Sequence, residues 1–158
     1  LGKTGEVVFH RSSPEFRIGK ALQLGAGFDI TVIATGSMVA TAVEISERLG
    51  KRGASIRLLS MHTVSPIDVE AIEAAARETR YLVTLEEHSI VGGLGSAVAE
   101  VVSTMEGQRA PLQRLGFPPV FNSRAGDQAY LRSVHGLDSD GVLHSIEEVL
   151  EKAHGLVR

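Results

Sequence analysis

The stretch VTLEEHSIVGGLGSAVAE, residues 83–100, concentrates the side chains whose types and spacing suit chemistry. An apolar run ends in Glu86, Glu87 and His88, and Gly92, Gly93 and Gly95 then open a run of small residues that reads as a helix. Adjacent carboxylates suit acid–base work, and a glycine turn before a helix suits phosphate binding. The same residues also make a plain strand-to-helix turn. The G-G-x-G spacing is neither G-x-G-x-x-G nor G-x-x-x-x-G-K-[ST], and no Lys follows it. Where a dinucleotide fold places a ribose-binding acid, about 20 residues on, the chain has Gln113. These departures favour glycines that let the chain turn tightly and the helix lie close to the sheet. Neighbours on an extended strand point to opposite faces, so Glu86 and Glu87 cannot converge on one bond as a glycosidase pair must. One of them can point into a crevice beside His88. Alternatively, Glu87 and His88 form a polar strand end that ties down the following loop.

Three other positions lie where chemistry is done in open α/β sheets, just past strand ends. Gly36-Ser37 follows ITVIAT, His62 follows IRLLSM, and Arg11 follows EVVFH. Ser37 lacks a G-x-S-x-G setting, so helix capping is its expected role. Arg11 can grip a phosphate with its two-pronged guanidinium, or it is an ordinary solvated side chain. The histidines show no HxH or HExxH spacing, which leaves a metal site without support.

The elements that must position these residues are legible from periodicity. EVVFH (6–10), IGKALQL (18–24), ITVIAT (30–35), IRLLSM (56–61), YLVTLEE (81–87) and PLQRLGF (111–117) read as strands. The Gly25-Ala26-Gly27-Phe28 turn between 18–24 and 29–35 reads as a tight reversal. SMVATAVEISERLGKRG places Val39, Val43, Ile45 and Leu49 in a helix that Gly50 and Gly53 can end. The next helix, in SPIDVEAIEAAARETR, is expected to start with Ser65 as cap, Pro66 at the first position and Asp68 near the positive end. A helix over 94–107 follows the glycines, and AYLRSVHG and an Asp/Ser-capped DSDGVLHSIEEVLEKAHG close the chain. Strands alternating with helices over short turns imply an α/β layer structure with a largely parallel sheet.

Composition narrows function further. With 158 residues, 43% hydrophobic and 22% charged, the chain is one ordinary globular domain's worth. Net charge is −3 with 16 scattered Lys and Arg, and aromatic content is 4% without Trp. No basic footprint or stacking platform for nucleic acid is present, and no apolar run approaches a membrane span. Zero cysteines exclude disulfides and fit a reducing, cytoplasmic setting. The chain starts LGKTGEVVFH, without Met, so a fragment of a longer protein or a trimmed product is expected.

Four blocks in order, IGKALQL, DITVIATG, MHTVSPID and EEHSIVGGLGSAVAE, resemble the C-terminal region of the transketolase family, the thiamine-diphosphate group that also holds deoxyxylulose-phosphate synthase and the β subunits of 2-oxo-acid dehydrogenases. The resemblance covers about residues 16 to 106. The wording of the last block is most similar to short, split transketolase-like C-terminal sections. It implies a three-layer α/β/α domain over 16–158, with a mixed five-stranded sheet carrying one antiparallel edge strand. Residues 1–15 then resemble the tail of the pyrimidine-binding domain, and Arg11 the family's arginine on the substrate phosphate. The family's strand order implies that 30–35 lies beside 81–87 with 56–61 on its far side. Gly36, Ser37, Glu87, His88, Gly92, Gly93 and Gly95 are then expected around a shallow polar pocket. There Glu87 or His88 would bond the glycine-loop backbone. No catalytic or cofactor-binding residue maps onto this chain. Thiamine diphosphate and Mg²⁺ belong to the full enzyme, which moves a two-carbon ketol unit between sugar phosphates of pentose phosphate metabolism. The implied role is structural, within a dimer or other homo-oligomer built with the remaining transketolase domains or an N-terminal-section subunit. The alternatives are a deoxyxylulose-phosphate synthase or 2-oxo-acid dehydrogenase β-like parent, and a non-catalytic module binding a partner or an anion.

Overall fold

A β-branched run with no polar alternation is stable only when both faces of the strand are covered, and Ile30–Ala34 is buried at every residue. This strand, β2, is the centre of a five-stranded sheet in the computed structural model, which describes residues 13–121 and 123–155. The other strands are β1 (Leu22–Gly25), β3 (Ile56–Ser60), β4 (Tyr81–Ser89) and β5 (Leu112–Phe117), in the spatial order β1-β3-β2-β4-β5. β3, β2, β4 and β5 run parallel, and β1 is the one antiparallel edge. The expected strand order and fold class are both observed. The expected strand at 6–10 and Arg11 lie outside the described residues.

Helices α1 (Met38–Gly50) and α5 (Ser139–Gly155) cover one face, and α2 (Val69–Glu78) and α3 (Leu94–Thr104) the other. Period-two alternation divides β2 and β4 between the two cores. Val32, Val83 and Leu85 pack with Ile45 of α1 and Ile146 of α5, whereas Ile33 and Leu82 pack with Ile72 of α2 and Val98 of α3. The same parity sends Glu86 to the α3 face and Glu87 to the α1 face. A short helix, α4 (Gln128–Val134), crosses the carboxyl edge with no buried residue of its own.

Two local expectations are corrected. The Gly25–Phe28 turn does not return the chain to a neighbouring strand, because β2 already has β3 and β4 on its two edges. β1 pairs instead with the outer edge of β3, with a register shift between Gln23 and Gly25. Gly27 is required there, since a Cβ would sit 2.3 Å from the carbonyl carbon of Ile56. The second correction concerns α2, which starts at Val69 with Asp68 as its cap rather than Ser65. The buried Asp68 carboxylate accepts the N–H of Ala71 (3.2 Å) and of Ala21 (2.8 Å), so one side chain caps α2 and anchors the approach to β1. Ser65-Pro66, a cis peptide, belongs to the loop before it.

Candidate functional site

The first N–H groups of a helix have no partner within the helix. α3 begins at the end of β4, away from solvent, and its cap position is Gly93, which has no side chain to offer. Glu86 takes that role from the neighbouring strand. Its carboxylate, 1% exposed, accepts Leu94 N–H at 2.8 Å through Oε2 and Gly95 N–H at 2.7 Å through Oε1. A carboxylate at this end also meets the positive pole of the helix.

The glycine pattern follows from this contact. A Cβ on Gly93 would lie 2.0 Å from Glu86 Oε2, and one on Gly95 would lie 2.9 Å from Thr84 Oγ1 and from Arg114 Cδ. Gly92 has φ +81°, a left-handed turn. Around it, Gly92 N–H donates to Ser96 Oγ (2.9 Å), while Ser96 Oγ (3.1 Å) and Arg114 Nη1 (2.9 Å) both donate to the Ile90 carbonyl. The donors that a phosphate would use at α3 are therefore held by the chain's own buried anion. This end of α3 does not fit the pyrophosphate of a cofactor. Among the described residues no group of three or more His, Cys, Asp or Glu is placed to hold a metal ion.

Glu87 points the other way, to the place where the winding reverses between β3 and β4 on either side of β2. Its Oε2 accepts Ser37 Oγ–H at 2.7 Å and Arg132 Nη2–H at 2.5 Å, and Gln128 Nε2 lies 2.7 Å from both carboxylate oxygens. Arg132 Nη2 also donates to Ser37 Oγ at 2.8 Å. Three elements meet here: the start of α1 after Gly36 (φ +58°), the end of β4, and α4. Burial pushes the Glu87 carboxyl up, but bonds from Ser37, Arg132 and Gln128, with the Arg132 charge, outweigh it and hold the carboxyl below its ordinary value.

The expected grouping is thus met in part and corrected in part. Ser37 and Glu87 meet at the reversal, and Ser37 stands at the cap position of α1 but makes no capping bond. Its hydroxyl serves the ion pair instead. Glu86, not Glu87 or His88, bonds the glycine-loop backbone. His88 is exposed, and its Nδ1 donates to the Ser89 carbonyl at 3.0 Å. His62 lies beyond β3, with Nδ1 2.8 Å from Thr63 Oγ1 and its ring 4.3 Å from Phe16. Sequence reasoning missed Arg132 and Gln128, which lie more than 40 residues from Glu87. Parity marks Glu86, which shares the buried face of Leu82 and Thr84.

Residues 19–142 match the model of the transketolase C-terminal domain. The 6-deoxy-6-sulfo-D-fructose transketolase subunit SqwH of Clostridium sp. (strain MSTE9) is 40% identical over 138 residues, covering 87% of this chain and 42% of that protein. The 1-deoxy-D-xylulose-5-phosphate synthase of Desulforudis audaxviator (strain MP104C) is 40% identical over 135 residues, 85% of this chain and 21% of that one. A solved structure described as a split gene transketolase, inactive beta4 tetramer, superposes with a TM-score of 0.80 at 36% identity, covering 91% of this chain and 47% of that chain. The α/β/α fold of this chain thus has a close structural counterpart in a split transketolase. The chain belongs to the transketolase C-terminal domain family. It spans less than half the length of these relatives.

Two outcomes test the site. Gly93→Ala should cost roughly 1–3 kcal/mol in urea unfolding, as overpacking against a buried group does; a variant as stable as the parent would mean that Glu86 does not sit on α3. The Glu87 carboxyl is lowered in the folded state, so its contribution is complete above the ordinary value of 4.5 and is lost as pH falls through the folded value. Arg132→Ala should therefore flatten the acid limb of the stability–pH curve, and an unchanged limb would contradict the ion pair.

Proposed function

We propose that this chain works as the C-terminal, non-cofactor-binding domain of a transketolase-type enzyme that transfers a two-carbon ketol unit between sugar phosphates. In that enzyme, thiamine diphosphate with Mg²⁺ supplies the chemistry and the protein the orientation. Sealing of the α3 N-terminus by Glu86 carries the reading, because the turn best suited to a phosphate serves the fold instead. The role of the domain is assembly: it packs against the remaining transketolase domains, or against an N-terminal-section subunit, within a cytoplasmic dimer or larger homo-oligomer. Relatives named as transketolase subunits, and a structural neighbour described as a tetramer, support such an assembly. The similarity to 1-deoxy-D-xylulose-5-phosphate synthase favours a synthase of that kind as the second reading of the parent enzyme. Arg11, outside the described residues, is the candidate ligand of the substrate phosphate.

Mixing the chain with the cofactor-binding domains tests this directly. The chain alone should give no saturable heat with thiamine diphosphate and Mg²⁺ in calorimetry, and the mixture should turn over sugar phosphates. Arg11→Ala should then lower kcat/KM for phosphorylated ketoses by about tenfold or more, the loss of a charge-assisted contact of about 1.5–3 kcal/mol. Micromolar cofactor binding by the chain alone would overturn the assignment. An equal fall for phosphorylated and unphosphorylated ketoses would remove Arg11 from the phosphate.

A further inference from the structure

At the opposite end of the sheet, where the parallel strands begin, the turn before β2, the end of α2 and the loop before β5 enclose a groove of about 680 Å³. That is within the size of small-molecule sites, about 300–1,000 Å³. Its lining includes Arg77, Arg80, Arg109, Gln108 and Phe28. Glu78 is its one carboxylate among the described residues, and that group is held by Arg57 at 2.7 Å. Arg77 is paired with Glu73 at 2.9 Å. Arg80 is 3.7 Å from Asp29, whose other oxygen already accepts Ser55 N–H at 2.8 Å. Arg109 has no carboxylate partner among the described residues, and its Nη1 donates to the Met105 carbonyl at 3.3 Å.

Each guanidinium carries five N–H donors in a rigid fork, far more than these contacts use. The C-terminal end of α2 would oppose an anion here, but Thr79 blunts it by directing both its N–H (3.0 Å) and its hydroxyl (2.8 Å) at the Ala75 carbonyl. Phe28 adds a flat apolar wall. Phe28 as a whole is 62% exposed although its backbone N–H is pinned to Ser55 Oγ, which leaves apolar surface available along the groove it lines. Phosphate oxygens suit paired arginines, and a planar base suits an exposed ring.

We propose that this groove binds a phosphorylated small molecule with a planar aromatic portion, a nucleoside phosphate in chemical class, through Arg80, Arg109 and Phe28. The site is separate from the carboxyl edge and does not rest on the transketolase reading. Calorimetric titration of the protein with ADP, and in parallel with inorganic pyrophosphate, both without Mg²⁺, tests it. ADP should bind saturably, and Arg80→Gln and Arg109→Gln should each weaken both probes about tenfold, as loss of a charge-assisted contact does. Phe28→Ser should weaken ADP and spare pyrophosphate. Arg17→Gln, which does not touch the groove, should change neither, and thermal melts of each variant separate lost binding from lost folding. Absence of saturable ADP binding, or binding that all three groove variants leave intact, overturns the site. Equal weakening of both probes by Phe28→Ser overturns the aromatic part of the ligand class.

Discussion

A helix that starts beside a buried strand end turns its first N–H donors toward protein rather than water, and such donors must find an acceptor or cost free energy. Leu94 and Gly95 find theirs on Glu86. That contact sets the rest of the carboxyl edge. It requires a glycine at 93 and brings α3 hard against β4, where Thr84 and Arg114 leave room only for a glycine at 95, and Ser96 and Arg114 tie down the loop between them. It also frees Glu87, on the other face of the same strand, to bind α4 through Arg132. Two adjacent carboxylates, which in other settings would invite an acid–base mechanism, here hold two different helices.

This arrangement explains how a sheet with a winding reversal, the usual place for a ligand in open α/β folds, becomes a supporting element. At the reversal the polar groups are paired with one another: Ser37, Glu87, Gln128 and Arg132 form one connected cluster. These bonds tie α1, β4 and α4 together and stiffen the edge, although the buried Arg132 Nε finds no partner among the described residues. α4, which buries no residue of its own, depends on it for placement. The likeness to transketolase subunits fits a domain whose polar edge is committed to its own structure.

Much of the fold was legible in the sequence because its signals are local. The uninterrupted ITVIA run predicts a strand covered on both faces, and β2 is buried throughout. The apolar spacing of α1 and the Asp/Ser cap of α5 likewise place those helices within a residue or two. What was not legible depends on partners far away in sequence. β1 pairs with β3 rather than β2 because β2 has no free edge, a fact of topology that no turn signal carries. Asp68 outcompetes Ser65 as a cap because its carboxylate serves Ala21, almost 50 residues earlier. Sequence spacing shows Glu86 only as half of an unworkable catalytic pair with Glu87. Its parity with Leu82 and Thr84 places it on a buried face, and a carboxylate there, just before a helix start with a glycine cap, requires backbone donors.

A side chain of this protein, and no external anion, satisfies the first donors of α3. Amide hydrogen exchange at Leu94 and Gly95, followed with no added phosphate or cofactor, tests it most directly. If Glu86 holds both groups, they exchange only through global unfolding, as slowly as the central amides of β2, and Glu86→Gln speeds them selectively. Exchange at the rate of solvent-exposed loop amides, slowed only when phosphate is added, would contradict the account.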